Sequence, residues 1–131
     1  MKDLLCDAFQ NDVKEYLIRH RSIIDVLSKF LESNARVNRA ISKAVTSCGC
    51  IKIVATKQKY PSEGSLVDLR NYVQTHLEGS LCEHCREIVE SELGNNLFYI
   101  AALCNLLDLN MYDVLLKEDK KLSQLGFFNL A

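Results

Sequence analysis

This chain is poor in helix breakers. It has one proline in 131 residues, and between Asn11 and Val45 neither a glycine nor a proline interrupts it. It also lacks any uninterrupted apolar run near the ~18–20 residues that span a bilayer, so no membrane partner is expected. The opening MKDLLCDAF is too acidic, and its apolar run too short, for a secretion signal, which points to a cytoplasmic protein. Internal repeats and low-complexity segments are absent, which removes solenoids and disordered tracts from consideration. A net charge of -1 gives no overall attraction to polyanions. Arg19, His20, Arg21, Arg36, Arg39 and Lys43 point in several directions around their helix with no aromatic residues interleaved, so nucleic acid is not an expected partner.

What is present is the composition of an ordinary globular domain, 48% hydrophobic and 25% charged, at a length suited to a single domain over residues 1–131. The charge is unevenly spread: residues 1–60 carry 11 Lys/Arg against 6 Asp/Glu, and residues 61–131 carry 5 against 11. Two halves of opposite sign are expected to neutralise each other, or the basic half to receive a phosphate-bearing ligand.

Apolar residues recur at helical spacing through Val13, Leu17, Ile24, Leu27, Leu31, Val37, Ile41 and Val45. The spacing predicts a helix over residues 11–45, or two in series with a break at Arg21-Ser22, where Ser22 and Asp25 form a start signal. The segment TSCGCIKIVATKQKYPSEG collects the breakers and reads as an irregular insertion over about residues 47–64. Within it Ile51–Val54 is extended but too short for a sheet of its own. Ser65 with Asp68 restarts a helix through Leu66, Leu69, Val73 and Leu77 to a stop at Gly79. Ser80 with Glu83 reads as a capping box for a helix from Leu81 to about Leu107, and Asn110 with Asp113 caps a last helix through Lys121. The whole reads as an all-α bundle of four or five helices.

In a reducing compartment six cysteines indicate metal or redox chemistry more than a disulfide framework. Cys48 and Cys50 form a C-x-C on the insertion; Cys82 and Cys85 form a C-x-x-C at a helix start, where the dipole and free N–H groups favour thiolate. Together they offer four sulfurs for a structural zinc ion. The alternatives are disulfides, an iron–sulfur cluster and free thiols; a thioredoxin-like pair lacks its βαβ context, and His84 points away from the Cys82/Cys85 face. Cys104, inside FYIAALCNLL, reads as a small buried hydrophobe, and Cys6 has no cysteine partner nearby in sequence.

One helical stripe runs Cys82, Cys85, Val89, Glu92, Asn96, Tyr99, Leu103, and a carboxylate on that stripe needs a cation, a metal or donors. Glu83, Glu87 and Glu90 fall on solvated flanks. The segment ESELGNNLFYIAALCNLLDLNMYDVLLKE resembles the second motif helix and following helix of the MazG-like all-α nucleotide pyrophosphohydrolases, whose pattern is E-L-(G/A)-D before an apolar run. Their first motif, E-E-x-x-E, finds its nearest match in KFLESNARVNRAI. The resemblance implies a MazG-like bundle, nucleoside triphosphates as ligands, and magnesium held by carboxylates from two helices. It places Glu32 at the first motif glutamate and Glu92 at the second-motif glutamate as catalytic candidates. Ser33, Arg36 and Asn95 stand where the family has carboxylates, so an internal ion-pair cluster, with Arg36 satisfying buried carboxylates of Glu32 and Glu92, competes with a magnesium site. Arg36, Arg39 and Asn95 become candidates for gripping a nucleotide without cleaving it. The resemblance also implies a homodimer or larger assembly, to which the apolar tail GFFNLA would contribute. The remaining possibility is a zinc-stabilised helical interaction module with no enzyme activity.

Overall fold

The computed structural model describes residues 2–17, 22–60 and 72–125. The chain divides into two compact units, Met1–Asn38 with Glu90–Ala131, and Arg39–Val89. Four helices dominate the described residues: α1 (Lys2–Tyr16), α2 (Ile23–Lys43), α3 (Glu83–Leu106) and α4 (Met111–Leu125). Among the described residues no single helix is long and apolar enough to cross a membrane.

The first unit is built from α1, most of α2, the greater part of α3, and α4. Helix α1 starts at Lys2, well before the expected Asn11, because Phe9, Val13 and Leu17 already repeat at four-residue spacing. Helix α2 follows Ser22 as expected, with the Val26 N–H donating to the Ser22 carbonyl at 2.9 Å. Val13, Leu17, Val26, Ala101 and Ala102 form the core, with Phe9, Phe98, Tyr99, Leu103 and Met111 against it. Both alanines are fully buried, so that stretch of α3 presents only methyl groups to its neighbours. Cys104 is buried at 6% exposure, as the apolar run predicts.

A polar lock closes the same unit. Gln10 donates from Nε2 to Asn105 Oδ1 (3.0 Å) and to the Leu109 carbonyl (2.7 Å), and its Oε1 accepts from the Met111 N–H (2.8 Å). Asn105 donates to the Gln10 carbonyl at 2.9 Å, so this buried amide pair has its partners. Asn110 caps α4 as expected: its Oδ1 accepts from the Asp113 N–H at 2.9 Å, and its Nδ2 donates to Asp7 at 3.1 Å. Asn110→Ala should therefore lower stability by about 1 kcal/mol, read as a lower urea midpoint with unchanged slope. Helix α4 runs on past Lys121 to Leu125.

The second unit holds the end of α2, a π-helical turn (Ala44–Cys48), a two-stranded antiparallel sheet and the first turns of α3. Strand β1 (Ile51–Ile53) pairs with β2 (Leu77–Gly79), setting Ile51 opposite Gly79, Lys52 opposite Glu78 and Ile53 opposite Leu77. The ribbon continues beyond the strands. The Val54 N–H donates to the His76 carbonyl (2.9 Å), and the Gln58 amide both donates to the Gln74 carbonyl (2.8 Å) and accepts from its N–H (2.9 Å). The helix expected to end at Gly79 is thus corrected where it is described: residues 73–76 are irregular and 77–79 are a strand. Residues 61–71, which include its expected start at Ser65, lie outside the described residues, as does the tail GFFNLA. The extended piece at Ile51 does find a sheet, because β2 supplies the hydrogen bonds it lacks alone. Among the described residues its core cluster is Ala44, Ile51 and Cys85, with Val45, Cys50, Leu81 and Cys82 against them.

Candidate metal centre

The C-x-C is presented by a change of helical pitch. After Lys43 the backbone widens into the π turn, and the Gly49 N–H closes it on the Ala44 carbonyl at 2.8 Å. Gly49 has φ 81, the left-handed conformation that turns the chain out of the helix between the two cysteines. Cys50 then leads into β1, its Sγ 3.8 Å from the Ala44 carbonyl.

The C-x-x-C is presented by a helix start. Helix α3 begins at Glu83, two residues later than expected, and its cap is Cys82 in place of Ser80: the Cys85 N–H donates to Cys82 Sγ at 3.4 Å. A sulfur here serves one of the four orphan N–H groups of the helix and gains from the dipole if it is ionised.

These two presentations meet. The sulfurs of Cys48, Cys50, Cys82 and Cys85 all lie within 4.8 Å of one another, with Cys48 and Cys82 3.8 Å apart. Cys85 is buried, Cys50 and Cys82 are half-buried, and Cys48 is exposed. Comparisons with known protein families, with curated proteins and with solved structures find no match. The chemistry of the site rests on its own residues. His84 is exposed and outside the cluster, as expected, and Glu83, Glu87 and Glu90 are solvated.

The thiols differ in acidity. The Cys85 N–H, then the Cys85 thiol and the other sulfurs, stabilise a thiolate on Cys82 and lower it to about 7. Cys85 is pushed up to about 12, because its thiol proton is held by Cys82 and because its sulfur is desolvated. The Cys50 N–H pulls Cys48 downward, but hydrogen bonding with the Cys82 and Cys50 thiols and desolvation carry it above its ordinary value. One thiolate in the metal-free site is therefore shared among its neighbours, and a cation is needed to draw the protons off Cys48 and Cys85. In chelated protein, iodoacetamide should modify Cys82 before Cys85, at a rate rising through about pH 7 where an ordinary thiol would respond near 9, as peptide mapping would read.

The carboxylates of the first unit make a different arrangement. Arg36 Nε meets Glu92 Oε2 at 2.9 Å, Arg36 Nη1 lies 3.8 Å from Glu32 Oε1, and Lys29 Nζ lies 3.2 Å from Glu32 Oε2. The ion-pair cluster is present but is not internal: Arg36 and Glu32 are at least half exposed, and Glu92 alone is mostly covered, at 19%. The hydrogen bond to Glu92, then its charge, holds Arg36 above its ordinary value. Beside it Ser33, 1% exposed, donates to the Phe30 carbonyl (2.7 Å) and accepts from Asn96 Nδ2 (2.9 Å). Lys29, Glu32, Ser33, Arg36, Ser91, Glu92, Asn95 and Tyr99 line a polar cleft of ≈ 360 Å³. Arg39 does not line it. Sequence reasoning missed Lys29 as a partner of Glu32, although their i, i+3 spacing signals the pair.

Proposed function

We propose that this is a zinc-stabilised helical protein of MazG-like descent that works by binding, with nucleotide hydrolysis reduced or lost. The observation that carries the zinc assignment is the meeting of four sulfurs. Tetrahedral sulfurs about 2.3 Å from zinc lie roughly 3.8 Å from each other, which is the Cys48–Cys82 separation. Four thiolates suit zinc as a structural ion, and a closed set of four leaves no open position for substrate. The reading also implies a reducing, cytoplasmic setting in which the thiols stay available.

Against magnesium catalysis stands Arg36, whose guanidinium occupies the Glu92 oxygen and crowds Glu32. Magnesium needs hard anionic oxygens free of a competing cation. The same arginine favours a second role for the cleft: Arg36 and Lys29 are placed to grip the phosphates of a bound nucleotide, with Asn95 on its wall.

Protein purified without added metal should carry about one zinc per chain by elemental analysis. Finding none, with all six thiols freely titratable, would remove the zinc assignment. Incubation with nucleoside triphosphates and magnesium should release no pyrophosphate while raising the melting temperature. Pyrophosphate release that disappears in Glu92→Gln would make the protein an enzyme after all.

A further inference from the structure

The four sulfurs of the cysteine cluster are unequally covered. Cys85 is buried, Cys50 and Cys82 are half-buried, and Cys48 is exposed. Cys48 ends the π turn Ala44–Cys48, next to Gly49, where an added side-chain carbon would meet nothing within 4 Å. With zinc bound all four sulfurs are thiolates, so an incoming oxidant selects among them by access, and access favours Cys48.

The sulfur placed to react next is that of Cys82, 3.8 Å from Cys48 Sγ. Cys82 Sγ accepts from the Cys85 N–H at 3.4 Å, which holds it at the head of α3. The other two are engaged inward: Cys50 Sγ lies 3.8 Å from the Ala44 carbonyl, and Cys85 sits in the cluster with Ala44 and Ile51.

We propose that Cys48 and Cys82 are a peroxide-sensitive pair within this site: a hydroperoxide oxidises Cys48, Cys82 closes a disulfide onto it, and the zinc ion is released. The proposal deepens the zinc reading and rests on it. In the first step the Cys48 thiolate attacks one peroxide oxygen, and the O–O bond breaks to give a sulfenic acid and hydroxide. A neutral sulfenic acid no longer supplies the anionic sulfur that zinc prefers. The Cys82 thiolate then attacks the Cys48 sulfur, forming the S–S bond and expelling a second hydroxide. Two electrons pass from the sulfurs to the peroxide, both hydroxides take protons from solvent to become water, and zinc leaves as the divalent ion it was. Bond formation brings the sulfurs from 3.8 Å to about 2.0 Å, a shift within the reach of side-chain rotation.

Cys50 and Cys85 remain as thiols, and two sulfurs do not complete a four-ligand site. The disulfide joins positions 34 apart in the chain, so the π turn stays tied to the start of α3 after the metal has gone. A dithiol reductant would reopen the bridge and let zinc return.

The full, zinc-loaded chain should lose its metal to hydrogen peroxide, one ion for each peroxide consumed, as a chromogenic chelator reads, and regain it when a dithiol and zinc are added. Trypsin places the two halves of the site on peptides 44–52 and 71–86. A Cys48–Cys82 bridge should therefore appear as a joined pair lighter by two hydrogens, with fragmentation locating the link. A 1,3-diketone that traps sulfenic acid should label Cys48 at early times and block the bridge. The Cys6→Ser, Cys104→Ala double variant should lose zinc at an unchanged rate, since neither thiol belongs to the cluster. A bridge within either peptide, first labelling at Cys82, a rate that depends on Cys6 or Cys104, or zinc retained after the peroxide is consumed would each overturn the proposal and leave the zinc assignment standing. Protein that carries no zinc before peroxide is added would overturn both.

Discussion

Cys50→Ser and Cys82→Ser should both release the metal and unfold Arg39–Val89, with a loss of at least about 3 kcal/mol in each case. The expectation follows from how little else, among the described residues, holds that unit. The buried cluster among its described residues is Ala44, Ile51 and Cys85, and one of those three is itself a proposed ligand. Small units with a core of this size depend on a metal or a cross-link. A structural zinc contributes on the order of 10 kcal/mol of folding free energy, so losing one thiolate of four removes a large part of it. The pair of variants separates two roles of Cys82. Serine caps a helix as well as or better than cysteine, so Cys82→Ser keeps the hydrogen bond to the Cys85 N–H and loses only the thiolate. Equal damage from both would assign the effect to metal; a mild Cys82→Ser beside a severe Cys50→Ser would assign Cys82 to capping alone. Hydrogen exchange at Ile51–Ile53 and Leu77–Gly79, with elemental analysis, reads both. Acid should act in the same direction as the substitutions, since ligation requires thiolates: the stability conferred by metal is present at neutral pH and is lost as pH falls and protons compete for sulfur.

Gly79→Ala should be the next most damaging single change, by about 3 kcal/mol or more, while Gly49→Ala should cost only about 1–2 kcal/mol. Both glycines are left-handed, at φ 85 and φ 81, so both substitutions incur the conformational penalty. They differ in what a methyl group meets. At Gly49 nothing lies within 4 Å, whereas at Gly79 the new carbon would sit 2.5 Å from the Cys50 carbonyl oxygen. That oxygen is backbone and cannot swing aside, so β2 and the start of β1 must part, which displaces Cys50 relative to Cys82 and Cys85. Zinc affinity should fall in Gly79→Ala and stay nearly unchanged in Gly49→Ala, as competition with a chromogenic chelator would measure. Equal effects of the two alanines would show that the strands part without strain.

The grouping of the cysteines was legible because ligand spacing is local: two residues apart on a turn, three apart at a helix start. The Asn110 cap was legible for the same reason, and the helical mass of the chain because its breakers are few. What escaped was non-local. Leu66, Leu69, Val73 and Leu77 keep helical spacing, yet Leu77 lies in a strand, since pairing with Ile51–Ile53 buries Ile51 and satisfies backbone groups that the sequence does not show meeting. Gly79 signalled a left-handed residue correctly, but its use is a close approach to Cys50, not the end of a helix. Cys82 displaced Ser80 as the cap because both are acceptors and only the folded geometry chooses between them. Arg36 was expected beside Glu92 and is found there; its exposure was not foreseeable from helical spacing, which says nothing of how much neighbouring chain covers a face.

The π turn at Ala44–Cys48 carries a consequence for how this chain can change over evolutionary time. A π turn is an α-helical turn with one residue to spare. Thr46 and Ser47 can be exchanged, because both are open to solvent. The number of residues in the turn cannot change. Removing one codon there would let the helix close at its usual pitch and swing Cys48 about 100° around the axis defined by Arg39–Lys43, away from Cys82. Variation in this segment should therefore be rich in substitutions at Thr46 and Ser47 and empty of single-residue deletions.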